Sequence, residues 1–257
     1  MSLAARERAS GRARAVLHRH RMQLRGVIFD LDGVLIDSLR SIGTSLNHAL
    51  VAMGREPLPL EQLRPRIGPP IEESAAALLG SREPALIAAF IERYRARYGA
   101  TALAETEPMA GLVEVLVELA AWVPLVVATS KAEVYARPIL AGLGVDRYFR
   151  AIHGRSLALD GEGKAAVIGR ALADFDGRAD GLVMVGDRSH DVVGARVHRI
   201  PTIGALHGMG GREELLAAGA TVKGHDPQAM ENIRAIFGDK VQLKDSMYEV
   251  AEGADAL

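Results

Sequence analysis

Two aspartates, Asp30 and Asp32, stand directly after a short apolar run and before Gly33. The run at 27–29 is β-branched and aromatic, which is typical of a buried strand in a parallel sheet. The glycine then permits a sharp turn of the chain. We therefore expect the two acids at the carboxyl end of a strand, the edge at which open α/β sheets bind ligands.

Further polar residues follow other apolar runs along the chain. Thr129 and Ser130 end one run, and Asp187 and Asp191 lie in the segment GDRSHD that ends another. Lys164 stands at the expected start of a helix. Because the carboxyl ends of parallel strands meet at one edge of a sheet, these side chains are expected to lie together.

Four of these side chains are carboxylates, and four clustered negative charges repel one another unless a cation neutralises them. Carboxylate oxygens are ligands that suit magnesium. The sequence therefore predicts a Mg²⁺ site with these acids around it: Asp30, Asp32, Asp187 and Asp191.

The elements that must position these groups alternate between strands and helices. Strands are predicted at 27–29, 124–130, 181–187 and 200–206, with weaker ones at 148–154 and 220–222. Helices are predicted at 111–121, 131–141, 164–174 and 212–218. This alternation predicts an α/β fold with a Rossmann-like, doubly wound parallel sheet.

One long segment interrupts the alternation. Between residues 38 and 107 the patterns are helical, at 38–54, 71–80 and 83–99, and Pro/Gly breaks separate them. We interpret this segment as a small all-helical cap domain. The predicted division is an extension at 1–23, a core at 24–37 and 108–240, a cap at 38–107 and a tail at 241–257.

Composition excludes several classes of function. The chain has 257 residues, 49% of them apolar and 25% charged, and a formal net charge of -1, so nucleic acid is not an expected partner. The absence of cysteine excludes a disulfide framework and a thiolate metal site and agrees with a cytoplasmic location. No apolar run approaches the roughly 20 residues needed to cross a bilayer, so no membrane is expected as a partner. A monomer or a homodimer is expected.

The first 25 residues contain seven arginines and one acid. An Arg-rich transit peptide is one interpretation of this composition. A disordered extension is the interpretation that we adopt, because the segment lacks strong apolar periodicity, and a true start at Met22 is an alternative.

The polar motifs occur in an order that resembles the haloacid dehalogenase (HAD) superfamily. They are DLDGVLIDS at the first strand, ATS at the second, a lysine before a helix, and GDRSHD later, and the resemblance runs from Gly26 to about Gly238. It implies a Rossmann-like core with an inserted helical cap. The implied function is magnesium-dependent hydrolysis of a small-molecule phosphate monoester, such as phosphoglycolate or a nucleoside monophosphate, through an aspartyl-phosphate.

The resemblance also implies a role for each motif residue. Asp30 is the nucleophile, and Asp32 is the general acid/base. Thr129 binds the phosphoryl oxygens, and Lys164 neutralises the nucleophile and the phosphate. The implied metal ligands are Asp30, Asp32 through its backbone carbonyl, Asp187 and Asp191.

Substrate contacts are expected from Gly33, Thr129, Ser130 and Arg66. Arg66 lies in a Pro/Gly-rich loop of the predicted cap, and its planar fork of donors suits a second anionic group of the substrate. The later cap arginines, at positions 93, 95 and 97, are expected on the solvated face of a helix.

Two alternatives to a phosphatase stay open at this point. A phosphosugar mutase of the β-phosphoglucomutase kind shares the core and the cap, and a receiver-like signalling or phosphate-binding module shares the acceptor aspartate, metal, hydroxyl and lysine. Arg188 departs from the family pattern, because a small residue is common at its position.

Overall fold

The protein is described here from a computed structural model, which covers residues 24–157 and 162–220. Within these residues the chain forms seven strands, namely β1 (Gly26–Phe29), β2 (Ile36–Asp37), β3 (Glu107–Pro108), β4 (Leu125–Ala132), β5 (Phe149–Arg155), β6 (Leu182–Gly186) and β7 (Thr202–Gly204).

Five of these strands form one sheet in the order β5-β4-β1-β6-β7, and every neighbouring pair is parallel. The strand β1 lies in the middle, where Val27 is opposite Leu125 on one side and Val183 on the other. Chain order reverses across β1, because β4 and β5 lie on one side and β6 and β7 on the other. This confirms the predicted doubly wound parallel sheet. The carboxyl edge of the sheet is where the predicted site residues were expected.

Nine α-helices lie in the described part of the chain. They are α1 (Leu39–Ala52), α2 (Leu60–Leu63), α3 (Ile71–Leu79), α4 (Pro84–Thr101), α5 (Leu112–Ala120), α6 (Glu133–Gly142), α7 (Lys164–Ala171), α8 (Ser189–Val197) and α9 (Arg212–Ala218).

The helices α1 to α4 leave the core and return to it at a two-stranded ribbon. In this ribbon β2 and β3 are antiparallel, with Ile36 opposite Pro108 and Asp37 opposite Glu107. The two passages of the chain therefore lie side by side at the predicted boundaries of the cap. The division into domains itself stays a prediction.

The core occupies both faces of the sheet. Along β1, Val27 and Phe29 contact one apolar cluster, which continues into α5, α6 and the cap helices. Ile28 contacts a second cluster, which it shares with α7 and α8. This alternation follows from the strand period of two residues, and it explains why the run at 27–29 is apolar throughout.

Most predicted boundaries differ from the structure by one to three residues, but the prediction at Lys131 is wrong in kind. Lys131 was expected to begin a helix, whereas β4 continues through it and α6 begins at Glu133. Its backbone N–H donates to the Thr129 hydroxyl (3.2 Å), and its side chain enters the site described below. These contacts hold the residue at the edge of the sheet.

Two further differences concern the ends of elements. The helix predicted at 164–174 ends at Ala171 and continues as a 3-10 turn, Leu172–Phe175. The weak strand predicted at 220–222 is not seen at Ala220, and its other residues lie outside the described part, as do the predicted extension at 1–23 and tail at 241–257.

Among the described residues, no single helix is long and apolar enough to cross a bilayer. The helices α3 and α4 meet the length and composition criteria only as a pair, and they are bent by 113° relative to each other.

We expect Ile28→Ala to lower the free energy of unfolding by about 2–5 kcal/mol, because Ile28 is fully buried in the central strand and truncation leaves a cavity. Ile28→Val removes one methylene group and should cost about 0.5–1.5 kcal/mol. Urea unfolding of both variants measures this. Equal stability of the alanine variant and the wild type would show that Ile28 does not support the core.

Candidate active site

Three carboxylates meet where β1 and β6 end. Asp30 follows β1, Asp187 follows β6, and Asp191 lies in the first turn of α8. One oxygen of each lies within 4.8 Å of the others, and all three residues are buried. The structure thus brings three of the four predicted metal ligands together.

Lys164 is the cation of this cluster. Its Nζ lies 2.8 Å from Asp30 Oδ1 and 2.6 Å from Asp191 Oδ1. Burial alone would lower the pKa of Lys164, but Asp191 and Asp30 raise it above its ordinary value, so the side chain is charged at neutral pH. One positive charge therefore faces three acids.

Asp187 has a carboxylate oxygen that could hold a cation. Its Oδ2 accepts the backbone N–H of Met209 (2.6 Å), whereas its buried Oδ1 has no hydrogen-bond partner among the described residues. The pKa of Asp187 is raised to about 8, mainly by burial and to a smaller extent by the charges of Asp30 and Asp191. A buried oxygen ligand of this kind fits a hard divalent cation such as Mg²⁺.

Asp191 combines two roles in the structure. Its Oδ2 accepts the backbone N–H groups of Asp187 and Arg188 (3.0 Å each), which caps α8. Its Oδ1 faces Lys164. Burial raises the pKa of Asp191 to about 6 although Lys164 opposes the shift. The residue therefore fixes the loop that carries Asp187 while it remains a member of the acidic cluster.

Asp32 lies apart from the acidic cluster. Its Oδ1 is 3.0 Å from Nζ of Lys131, whose side chain is only 4% exposed. Lys131 also donates a hydrogen bond to the Tyr98 hydroxyl and lies 4.7 Å from the centre of that ring. Two aspartates separated by one residue thus have different cationic partners, Lys164 for Asp30 and Lys131 for Asp32.

Sequence reasoning missed Lys131. The available signal was its position directly after Thr129 and Ser130 in the segment ATSK, within one residue of the predicted site. The structure adds Lys131 to the site through its contact with Asp32.

Thr129, Ser130 and Arg66 line one cavity together with Asp30 and Asp32. The helix α6 begins at Glu133 and has no side-chain cap from either hydroxyl residue, so these hydroxyls do not cap this helix. Thr129 is almost fully buried.

Gly33 lies against Asp187. Its φ of +79° is in the left-handed region, and a Cβ atom there would collide with the Asp187 carboxylate. Its N–H donates to the carbonyl of Ile36 (2.9 Å), so the residue shapes the turn after β1. Its substrate-binding role stays a prediction.

Arg66 lies in the short 3-10 turn Arg64–Arg66 of the cap segment. Its side chain has no hydrogen-bond or ion-pair partner among the described residues, and it faces the cavity from the cap. The expectation of a solvated face fails for Arg97, whose Nη2 lies 2.8 Å from Glu105 Oε1 in a half-buried ion pair.

The family model described as haloacid dehalogenase-like hydrolase matches residues 27–205, which include every motif named above.

Several curated relatives are similar over most of the chain. Tyrosine-protein kinase PtkA of Mycobacterium tuberculosis is 42% identical over 216 residues, covering 82% of this chain and 72% of PtkA. A 5'-nucleotidase of Pseudomonas aeruginosa is 36% identical, covering 74% of this chain and 86% of the relative. A phosphoglycolate phosphatase of Agrobacterium fabrum is 34% identical, with 70% and 80% covered.

The fold is shared with solved structures. The crystal structure of a predicted phosphatase from Clostridium acetobutylicum has a TM-score of 0.75 and 32% sequence identity, and the match covers 83% of this chain and 99% of that one.

We expect the metal-free protein to lose stability as the pH rises from about 5 to 8. The pKa of Asp187 is about 8 in the folded state against an ordinary value of 3.8, so the folded protein retains a proton that the unfolded chain has released. Raising the pH through this window removes that contribution. Bound Mg²⁺ neutralises the charge, so the increase in Tm on adding Mg²⁺ should be larger at pH 8 than at pH 5.

Thermal unfolding with Mg²⁺ and with chelator at both pH values measures this effect. The control is Asp187→Asn, which retains an acceptor for the Met209 N–H but does not titrate. Its Tm in chelator should depend less on pH. If the wild type and this variant had the same pH dependence, Asp187 would not be the group responsible.

Proposed function

This chain belongs to the haloacid dehalogenase-like hydrolase family and is a phosphatase-type enzyme, and we propose that it hydrolyses a small phosphate monoester through a phosphorylated Asp30, with Mg²⁺ bound. The observation that carries the proposal is the different surroundings of Asp30 and Asp32. Asp30 lies in the acidic cluster with Lys164, whereas Asp32 lies outside it on Lys131.

In the proposed first step, a carboxylate oxygen of Asp30 attacks the phosphorus atom and the bond to the leaving oxygen breaks. Asp32 donates a proton to that oxygen. Lys164 and the Thr129 hydroxyl hold the phosphoryl oxygens, which limits the build-up of negative charge. The product alcohol leaves, and Asp30 carries the phosphoryl group.

In the second step, Asp32 accepts a proton from water as the water oxygen attacks the phosphorus. The bond between phosphorus and Asp30 breaks, inorganic phosphate leaves, and Asp30 is a carboxylate again. Using a carboxylate nucleophile divides one difficult hydrolysis into two easier reactions. Asp32 serves both steps, because its protonation state after the first step is the one that the second requires.

The residues proposed to hold Mg²⁺ are Asp30, Asp187 and Asp191, with the backbone carbonyl of Asp32 as the family resemblance implies. When bound, the ion offsets negative charge on the phosphate and on Asp30. The unpartnered Oδ1 of Asp187 supports this assignment.

A small phosphorylated metabolite is the proposed substrate, and the relatives named 5'-nucleotidase and phosphoglycolate phosphatase support that class. The predicted cytoplasmic location and the monomeric or homodimeric state remain part of this proposal. Membership of the hydrolase family makes a receiver-like signalling module the less favoured reading.

Transfer of the phosphoryl group to a hydroxyl is a second candidate. The relative at 42% identity is named a tyrosine-protein kinase, and a mutase also passes a phosphoryl group to a hydroxyl. In such a reaction the phosphorylated Asp30 reacts with an alcohol or phenol where the phosphatase uses water. The residues described above are common to both reactions, and the acceptor decides between them.

We expect the protein to release inorganic phosphate from phosphoglycolate, nucleoside monophosphates or sugar phosphates with Mg²⁺ and not with chelator. Asp30→Asn removes the nucleophile and should reduce release by at least about a thousandfold, as loss of a covalent nucleophile does in other enzymes. A malachite-green assay measures the product. Full activity of Asp30→Asn would overturn the proposed mechanism.

The second candidate is tested in the same preparation. Labelled ATP with a tyrosine-containing peptide tests for a kinase, and β-glucose 1-phosphate tests for a mutase. Transfer to peptide or sugar without release of phosphate from any monoester would favour that candidate over the phosphatase.

We expect Asp32→Asn to lower kcat by about 10²–10⁴-fold for alkyl phosphates, because it removes general acid/base catalysis. For p-nitrophenyl phosphate the rate of the first step should fall less, since p-nitrophenolate leaves without being protonated. Single-turnover measurement of p-nitrophenol release separates the steps. Lys131→Met should also lower kcat, because it removes the cation beside Asp32. Lys131→Arg keeps a cation near Asp32, so its kcat should lie between those of the wild type and Lys131→Met. Unchanged kcat in Asp32→Asn would remove it from the mechanism.

A further inference from the structure

We propose that Arg155, together with Arg95 and Arg66, forms a subsite for a second anionic group of the substrate. The preferred substrates are then phosphate monoesters that also carry a carboxylate or a second phosphate. This inference rests on the proposed function and specifies the substrate class of that site.

The cavity at the candidate active site has two chemically different walls. One wall is the reaction centre, with Asp30, Asp32 and Thr129. The other carries three arginines, of which Arg66 and Arg95 come from the cap segment and Arg155 from the end of β5. A substrate whose phosphoryl group lies at Asp30 therefore faces guanidinium groups with the rest of its structure.

Arg155 is built into this wall rather than lying on the surface. The residue is only 8% exposed, and its Nη1 and Nη2 lie 3.0 Å and 3.4 Å from the two carboxylate oxygens of Glu72 on α3. Its Nε is buried and has no hydrogen-bond partner among the described residues. A buried N–H without a partner costs free energy, so this donor is expected to have one when substrate is bound.

The charges on this wall do not balance. Glu72 is the carboxylate that pairs with Arg155. Burial alone would raise the pKa of Glu72, but the hydrogen bond from Arg155 and the charges of Arg155 and Arg95 lower it, so Glu72 is ionised at neutral pH. Glu72 pairs with Arg155 alone, and within the described residues neither Arg66 nor Arg95 has an ion-pair partner.

An anionic group of the substrate supplies the missing charge. Guanidinium groups present a planar fork that matches a carboxylate or phosphate, and hydrogen bonds between charged groups are stronger than those to a neutral hydroxyl. The structure therefore favours a phosphate monoester with a second anionic group over a phosphorylated alcohol whose phosphate is its only charged group.

The competing explanation is that Arg155 and Glu72 only hold the cap against the core. A strut of this kind would affect every substrate equally, whereas a subsite affects only those substrates that carry the second anionic group. Substrates matched in length but not in charge separate the two explanations.

The test compares phosphoglycolate with 2-hydroxyethyl phosphate, and 3-phosphonooxypropanoate with 3-hydroxypropyl phosphate. For the wild type we expect a higher kcat/KM with the carboxylate member of at least one pair. Arg155→Met should reduce the ratio of kcat/KM within that pair by roughly ten- to a hundredfold, the range for lost charge-assisted hydrogen bonds. Equal losses for both members would overturn the subsite and favour the strut.

Two further variants sharpen the comparison. Glu72→Gln breaks the ion pair but leaves Arg155 charged, so the preference for the carboxylate should persist or increase, whereas a strut predicts the same loss as in Arg155→Met. Arg93→Met is the matched control, because Arg93 lies on α4 and donates to the Ala89 carbonyl (2.8 Å) without lining the cavity. It should not alter the ratio.

Calorimetric binding of the same four compounds to Asp30→Asn with Mg²⁺ provides a readout without turnover. If the wild type released no phosphate but binding still preferred the carboxylate members and depended on Arg155, the proposed reaction would fail and the subsite would stand. If phosphate were released without any carboxylate preference in binding or turnover, the subsite would fail and the reaction would stand.

Discussion

The mutual repulsion of buried carboxylates is the constraint on which the rest of the structure depends. Asp30, Asp187 and Asp191 are all buried, and one carboxylate oxygen of each lies within 4.8 Å of the others. Lys164 neutralises one of these charges, and burial together with the charges of Asp30 and Asp191 raises the pKa of Asp187. Such a cluster persists because strong packing on both faces of the sheet fixes the strand ends that carry it.

The fold and the acidic cluster could be predicted from the sequence because both depend on local patterns. Each acid follows a short apolar run, and in a parallel sheet the ends of such runs meet at one edge whatever the lengths of the loops between them. Parallel strand polarity therefore implies that the acids lie at the same edge of the sheet.

Lys131 and Arg155 could not be found in this way because their roles depend on tertiary contacts. The segment that contains Lys131 resembles a helix start, but Lys131 lies in β4 and its side chain contacts Asp32 and Tyr98. Arg155 lies one residue beyond the predicted end of β5, and nothing in the local sequence indicates that Glu72, more than eighty residues earlier, lies opposite it.

Arg188, which departs from the family pattern, connects the loop after β6 to two other parts of the chain. It donates to the carbonyl of Ile67 in the cap segment, and Glu214 on α9 holds it from the other side, with Nε 3.0 Å from Oε1. The nearby Arg64 donates from the cap to the Gly208 carbonyl (3.2 Å). The loop that carries Asp187 is thus joined to the cap by polar contacts, so the position of the cap and the geometry of the acidic cluster are physically linked.

The strand order has a consequence for the protein as it is synthesised. The central strand β1 is synthesised before the other strands of its sheet, and β4, which carries β5 beside it, covers only one of its sides. Until β6 (Leu182–Gly186) has left the ribosome, the nascent chain has β1 as an exposed edge, with its backbone N–H and C=O groups unpaired. Asp191 follows β6 in the chain, so Asp30 at the end of β1 gains this neighbour at nearly the same point of synthesis as the edge of β1 gains β6.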